Sequence, residues 1–251
     1  MRPYSKHVAL FLTVSAVAAC GTDGVLDPSQ RPEPPPADAL FADFSFFEER
    51  TPEPGGETTS WAQALQTVAS AEADMAVLAI PEAMVRVANA TQGTREGNAW
   101  TWPFGTSVDG TGYVGELRAV VAGSRYEWDL LVTSPGHSPP LSNYLWGKAA
   151  TLPNGFEGRW LLANAAEGSD SIVAAVQWIR NAEGGINFGF SASDSAGWTY
   201  ERSVNAVVLT HVVFDAVRAR VTWFLDSGTG RSTTSATSPA CWNADLHDVA
   251  C

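Results

Sequence analysis

Tyr113-Val114-Gly115-Glu116-Leu117-Arg118-Ala119-Val120-Val121 and Tyr126-Glu127-Trp128-Asp129-Leu130 face each other across Gly123-Ser124. Both runs alternate with a period of two, the spacing at which successive side chains of a strand point to opposite faces. Gly123-Ser124 suits a two-residue hairpin turn. Folding the chain there sets Ala119 opposite Trp128 and Leu117 opposite Leu130 on one face. The same register sets Arg118 opposite Asp129 on the other. One register satisfies both faces, and a slip by one residue would invert them.

The pattern continues outward. Phe156, Gly158, Trp160 and Leu162 alternate with Glu157, Arg159 and Leu161. Ile172 to Arg180 and Ile186 to Phe190 flank Glu183-Gly184-Gly185, a second hairpin signal. Trp198, Tyr200, Arg202 and Val204 share a face, and Val217 to Leu225 alternates again. Asp109-Gly110, Asn154-Gly155 and Ser227-Gly228 punctuate the run as turns. About nine or ten strands result, with no helical crossover between them. The fold class predicted is mainly β: an antiparallel up-and-down meander over 98–251, as a curved sheet or barrel, with a short N-terminal helical segment.

Before Asn98 the period differs. Trp61, Leu65, Val68, Met75 and Leu78 form one apolar stripe, which predicts a helix over 58–79 with Thr59 or Ser60 as N-cap. Pro81 ends it or starts the next turn, and residues 82–90 suit a second short helix. Residues 39–97 are thus expected to dock as a helical segment on the β domain. Residues 20–38 carry Pro28, Pro32, Pro34, Pro35 and Pro36 among polar residues, the composition of a disordered tether.

The first 19 residues have the layout of a secretory leader: Arg2 and Lys6, an apolar run from Val8 to Val17, then small residues. The apolar run is too short to span a bilayer. The small residues lead into Val17-Ala18-Ala19-Cys20, which resembles the bacterial lipobox. That resemblance implies acylation of Cys20 and an address in the cell envelope, at the outer membrane. Several acyl chains, each CH₂ contributing about 0.8 kcal/mol, would hold the protein there permanently. Loss of Arg2 and Lys6 with the leader leaves 13 basic against 27 acidic residues, a net charge of −14. That charge argues against nucleic acid and against electrostatic attraction to anionic lipid.

Cys241 and Cys251 remain for pairing, as two cysteines of an exported chain commonly do. Closing so short a loop stabilises by roughly 2–3 kcal/mol on the chain-entropy model. The rival reading is a metal site with Asp245, His247 and Asp248, although structural zinc sites use four Cys or His ligands in tighter pairs.

Nine of the ten tryptophans lie beyond Asn98. Tyr126, Trp128, Trp160, Trp178, Phe188 and Trp223 fall on the apolar faces of their strands. Two readings follow. They could form a platform or cavity wall for a lipid or other apolar ligand. The favoured reading is core filling, since large rings close small β cores well.

Lipobox, polar tether, short helical segment, Trp-rich meander and the step Cys241-Trp242-Asn243 together resemble a group of bacterial envelope lipoproteins of uncharacterised activity. The lipid-anchored meander itself suggests a non-enzymatic envelope protein that binds an apolar or amphipathic ligand, with a structural or adhesive role as the alternative, and the resemblance adds no activity. It brings no catalytic residue or cofactor. No Gly-x-Ser-x-Gly elbow, P-loop, His-Glu-x-x-His or EF-hand loop occurs. Phe224-Leu225-Asp226-Ser227-Gly228-Thr229 resembles an aspartic-protease signature, but it occurs once and Asp-Ser-Gly is also turn chemistry.

Overall fold

The computed structural model describes residues 26–181, 183–192 and 195–251. The leader and Cys20 lie outside these residues. The hairpin around Gly123-Ser124 pairs Ala119 with Trp128, Leu117 with Leu130 and Arg118 with Asp129, the register that the alternation requires.

Fourteen strands follow one another in a single antiparallel sheet in sequence order. They are β1 (Thr94–Glu96), β2 (Ala99–Val108), β3 (Thr111–Ala122), β4 (Arg125–Ser134) and β5 (Leu141–Thr151). Next come β6 (Glu157–Asn164), β7 (Ser169–Arg180), β8 (Ile186–Ser191), β9 (Ala196–Arg202) and β10 (Ala206–Val213). The last four are β11 (Ala216–Phe224), β12 (Gly230–Thr234), β13 (Ala240–Trp242) and β14 (Asp248–Val249). The sheet is curved and not closed: β1 and β14 are its two edges. Fourteen strands exceed the nine or ten expected. Bulges at Leu130/Leu131 and His211/Val212 break the period of two, and the last strands are too short to show it.

The filling of the concave face follows from strand spacing. Across β2 to β9 one row of register partners reads Trp100, Ala119, Trp128, Ala149, Trp160, Val176, Phe190, Trp198. Neighbouring strands stand about 4.8 Å apart, less than the breadth of an indole, so each ring needs a small neighbour. Alternation of large and small from β2 to β8 supplies that room, and it lapses where Phe190 meets Trp198. In the next row Gly158 lies beneath Trp178. A Cβ there would overlap the Trp178 ring and stand 2.7 Å from the Ala150 carbonyl oxygen.

The helices are α1 (Ser45–Glu48), α2 (Thr59–Met75) and α3 (Ala79–Asn89). They lie on the concave face, α3 against β2 and β3 and α2 against β11 to β14. Phe46, Phe47 and Trp61 pack onto Trp223 and Trp242, with ring centroids 5.1–6.4 Å apart. Buried residues of sheet and helices form one continuous cluster. The division at 97/98 therefore runs through a shared core.

Two local expectations are corrected. The N-cap of α2 is Thr58, and its own side chain does not cap. Asp248 does so from β14: its Oδ1 accepts the Ser60 N–H at 2.9 Å. Such a cap contributes roughly 0.5–2 kcal/mol and has a favourable charge for a helix N-terminus. The stretch read as a free tether is docked in its later part, where Pro32, Pro35 and Pro36 are buried. The Pro28 carbonyl accepts the Trp100 indole N–H at 3.3 Å, and the Pro35 carbonyl accepts from Asn89 Nδ2 at 2.9 Å. Proline cannot donate from its nitrogen, so the strap is held through its carbonyls.

Candidate functional site

The six aromatics singled out on the strands come together on the concave face, but as interior. Tyr126, Trp128, Trp160, Trp178, Phe188 and Trp223 are 3, 1, 0, 2, 3 and 0 % exposed. The space over them is taken by the strap, α1, α2 and α3. The indole N–H groups of Trp160, Trp178 and Trp223 are buried with no acceptor among the described residues. Each costs about 1–3 kcal/mol, whereas burying 150–250 Å² of ring at 25 cal/mol/Å² returns about 4–6 kcal/mol. Ring bulk outweighs the unmade bond. Trp128 avoids the cost by donating to Thr151 Oγ1 at 2.9 Å.

An open trough of about 670 Å³ lies over β4 to β9. Arg125, Arg159, Gln177, Asn187, Thr199 and Glu201 line it. Its rows, such as Ala150, Arg159, Gln177, Gly189 and Thr199, are outward partners across the sheet. Charges of both signs mix there, and Trp178 and Phe188 are also among the residues that line it.

A polar group that sequence reasoning missed lies where α2 meets β9 and β10. Asp74 Oδ2 accepts the Trp198 indole N–H at 2.8 Å. His211 stacks on the same ring, centroids 4.2 Å apart and 13° from parallel. Burial, with Arg218 nearby, outweighs the pull of Asp74 and lowers the imidazole below the ordinary 6.5. Because the folded state disfavours the proton, this stabilisation is complete above pH 6.5 and is lost as pH falls through the depressed value. Urea midpoints should therefore drop between pH 7.5 and 5. In His211→Gln that part of the drop should vanish; an unchanged pH profile would show that His211 is not its source.

Near the strap, Asp43 Oδ1 accepts from Ser45 N at 3.1 Å and Oγ at 2.7 Å, and its Oδ2 meets Arg202 Nη1 at 2.9 Å. Burial raises this carboxyl, but the Ser45 bonds and Arg202 together hold it below its ordinary range.

Cys241 and Cys251 stand at disulfide distance, with Cα atoms 5.4 Å apart. The residues of the rival metal reading have other partners. Asp248 caps α2, and the His247 ring lies against the Glu53 carbonyl at 3.0 Å and over Gly56. The protease-like step forms the β11–β12 turn, closed by Phe224 N–H to Thr229 O at 2.9 Å and Gly228 N–H to Phe224 O at 3.0 Å. Gly228 has φ +70°, which a glycine adopts freely. Asp226 is thus placed in a turn.

No protein-family model matches the chain, and no curated protein matches it.

Proposed function

We propose that the protein is a bacterial envelope lipoprotein, held at the outer membrane by acylation of Cys20, with a structural or adhesive role. The observation that carries the second half of this reading is the occupied concave face. A carrier needs an apolar cavity of ligand size, and the six aromatics suited to line one are the core of the fold. Membrane attachment rests on Val17-Ala18-Ala19-Cys20 and on a net charge that leaves acylation as the attractive contribution. Partners on this reading are the bilayer and other envelope components.

Two measurements on protein isolated from bacterial membranes test it. The intact mass should show acyl chains on Cys20, and Cys20→Ser should abolish both the added mass and partition into detergent. Organic extraction should then release no stoichiometric lipid. Retained partition in Cys20→Ser would refute the anchor. A lipid released in equal amount with the protein would favour the carrier reading.

A further inference from the structure

In an antiparallel meander the turns alternate between two rims of the sheet. One rim carries the β1–β2, β3–β4, β5–β6, β7–β8, β9–β10 and β11–β12 turns. The N-terminal strap runs along this rim. Leu26 packs against the core, and Pro28 lies by Trp100 near the start of β2. Glu33 meets Arg180 at 3.6 Å beside Gly155, and Arg50 lies against Gly228 in the β11–β12 turn.

The same rim exposes apolar side chains at the β5–β6, β9–β10 and β11–β12 turns. Leu152 and Phe156 are 40 and 49 % exposed, Val204 71 % and Phe224 39 %. Hydrogen bonds link these turns to one another through the β7–β8 turn. The Phe156 carbonyl accepts from Arg180 N at 2.7 Å, Val204 N–H donates to Glu183 Oε2 at 3.1 Å, and Leu225 N–H donates to the Asn205 carbonyl at 2.8 Å.

Covalent geometry ties this rim to Cys20. Six residues separate Cys20 from Leu26, a reach of about 20 Å at full extension. Strands of ten residues such as β4 place the far rim about 33 Å away. That rim holds Phe214, 75 % exposed in the β10–β11 turn. Cys20 is therefore tethered nearer to the strapped rim, at its β2 end, than to the Phe214 rim.

We infer that the strapped rim seats on the lipid surface, with Leu152, Phe156, Val204 and Phe224 in the interfacial layer. This orientation rests on the acylation of Cys20 proposed above. Contact is apolar, because a net charge of −14 after leader removal gives no attraction to anionic headgroups. Val204 and Phe156, at turn tips, enter furthest.

The test uses full-length acylated protein in phosphatidylcholine vesicles. Single cysteines, Phe156→Cys, Val204→Cys and Phe214→Cys, carry an environment-sensitive fluorophore, and nitroxide-bearing lipid is the quencher. Circular dichroism first establishes that each labelled variant keeps its fold. At positions 156 and 204 the label should shift to the blue on reconstitution and be quenched several-fold more strongly than at 214. High salt should leave the difference unchanged. Vesicle-bound protein with equal quenching at all three positions, or stronger quenching at 214, would overturn the seating and leave the anchor standing. Protein that carries no acyl mass and does not float with vesicles would overturn both.

Discussion

A chain beginning at Asn98 will not form a stable monomeric sheet. It would lack Leu40, Phe44, Phe46, Phe47, Trp61, Val68, Met75, Leu78, Met84 and Val85, all buried against the concave face or one another. Full burial of such a side chain contributes about 1.5–3 kcal/mol. Loss of ten exceeds the whole stability of an ordinary domain, about 5–15 kcal/mol. The facing aromatics of the sheet would also become an exposed apolar surface, the condition for aggregation. Size-exclusion chromatography should show aggregate, and near-ultraviolet circular dichroism should lose its aromatic signal. A monomer that unfolds cooperatively would show that the sheet is a domain by itself.

Trp223→Ala should destabilise the full chain by about 3–5 kcal/mol, the usual cost of truncating a buried tryptophan. Trp223 is fully buried, 5.1 Å from Phe47 and 6.3 Å from Phe46 between ring centroids, so it bonds the sheet to α1. The adjacent residue serves as control. Phe224 points to the other face and is 39 % exposed. Its replacement by Ala should shift stability by about 0.5 kcal/mol or less. Urea unfolding of both variants checks the contrast, and equal losses would mean that the two faces had been assigned wrongly.

The hairpin register was legible because two independent patterns, apolar on one face and Arg118 with Asp129 on the other, agreed on it. β5 and β10 were harder to read, since bulges within or beside them shift the period mid-strand. Apolar faces were legible for all six strand aromatics, yet their availability was not. A strand sequence fixes which side chains share a face; it does not say what lies over that face. Residues 39–89 supply the cover, through contacts more than a hundred residues apart in the chain, such as Asp74 with Trp198. Asp248, 188 residues from the helix it caps, gave no local signal. Proline-rich composition indicated a tether, whereas the docking of Pro32 to Pro36 depends on carbonyl acceptors that every sequence possesses.

The central claim is that strap, helices and sheet form one filled core. Native-state hydrogen exchange tests it most directly, because it reports opening free energies element by element. Backbone amides in α2 and α3 should exchange only through global unfolding, with the same free energy and denaturant dependence as amides in β4, β6 and β7. Exchange from the helices at much lower free energy, while the strands remain protected, would contradict it: the helical segment would then be a detachable cover over an apolar face.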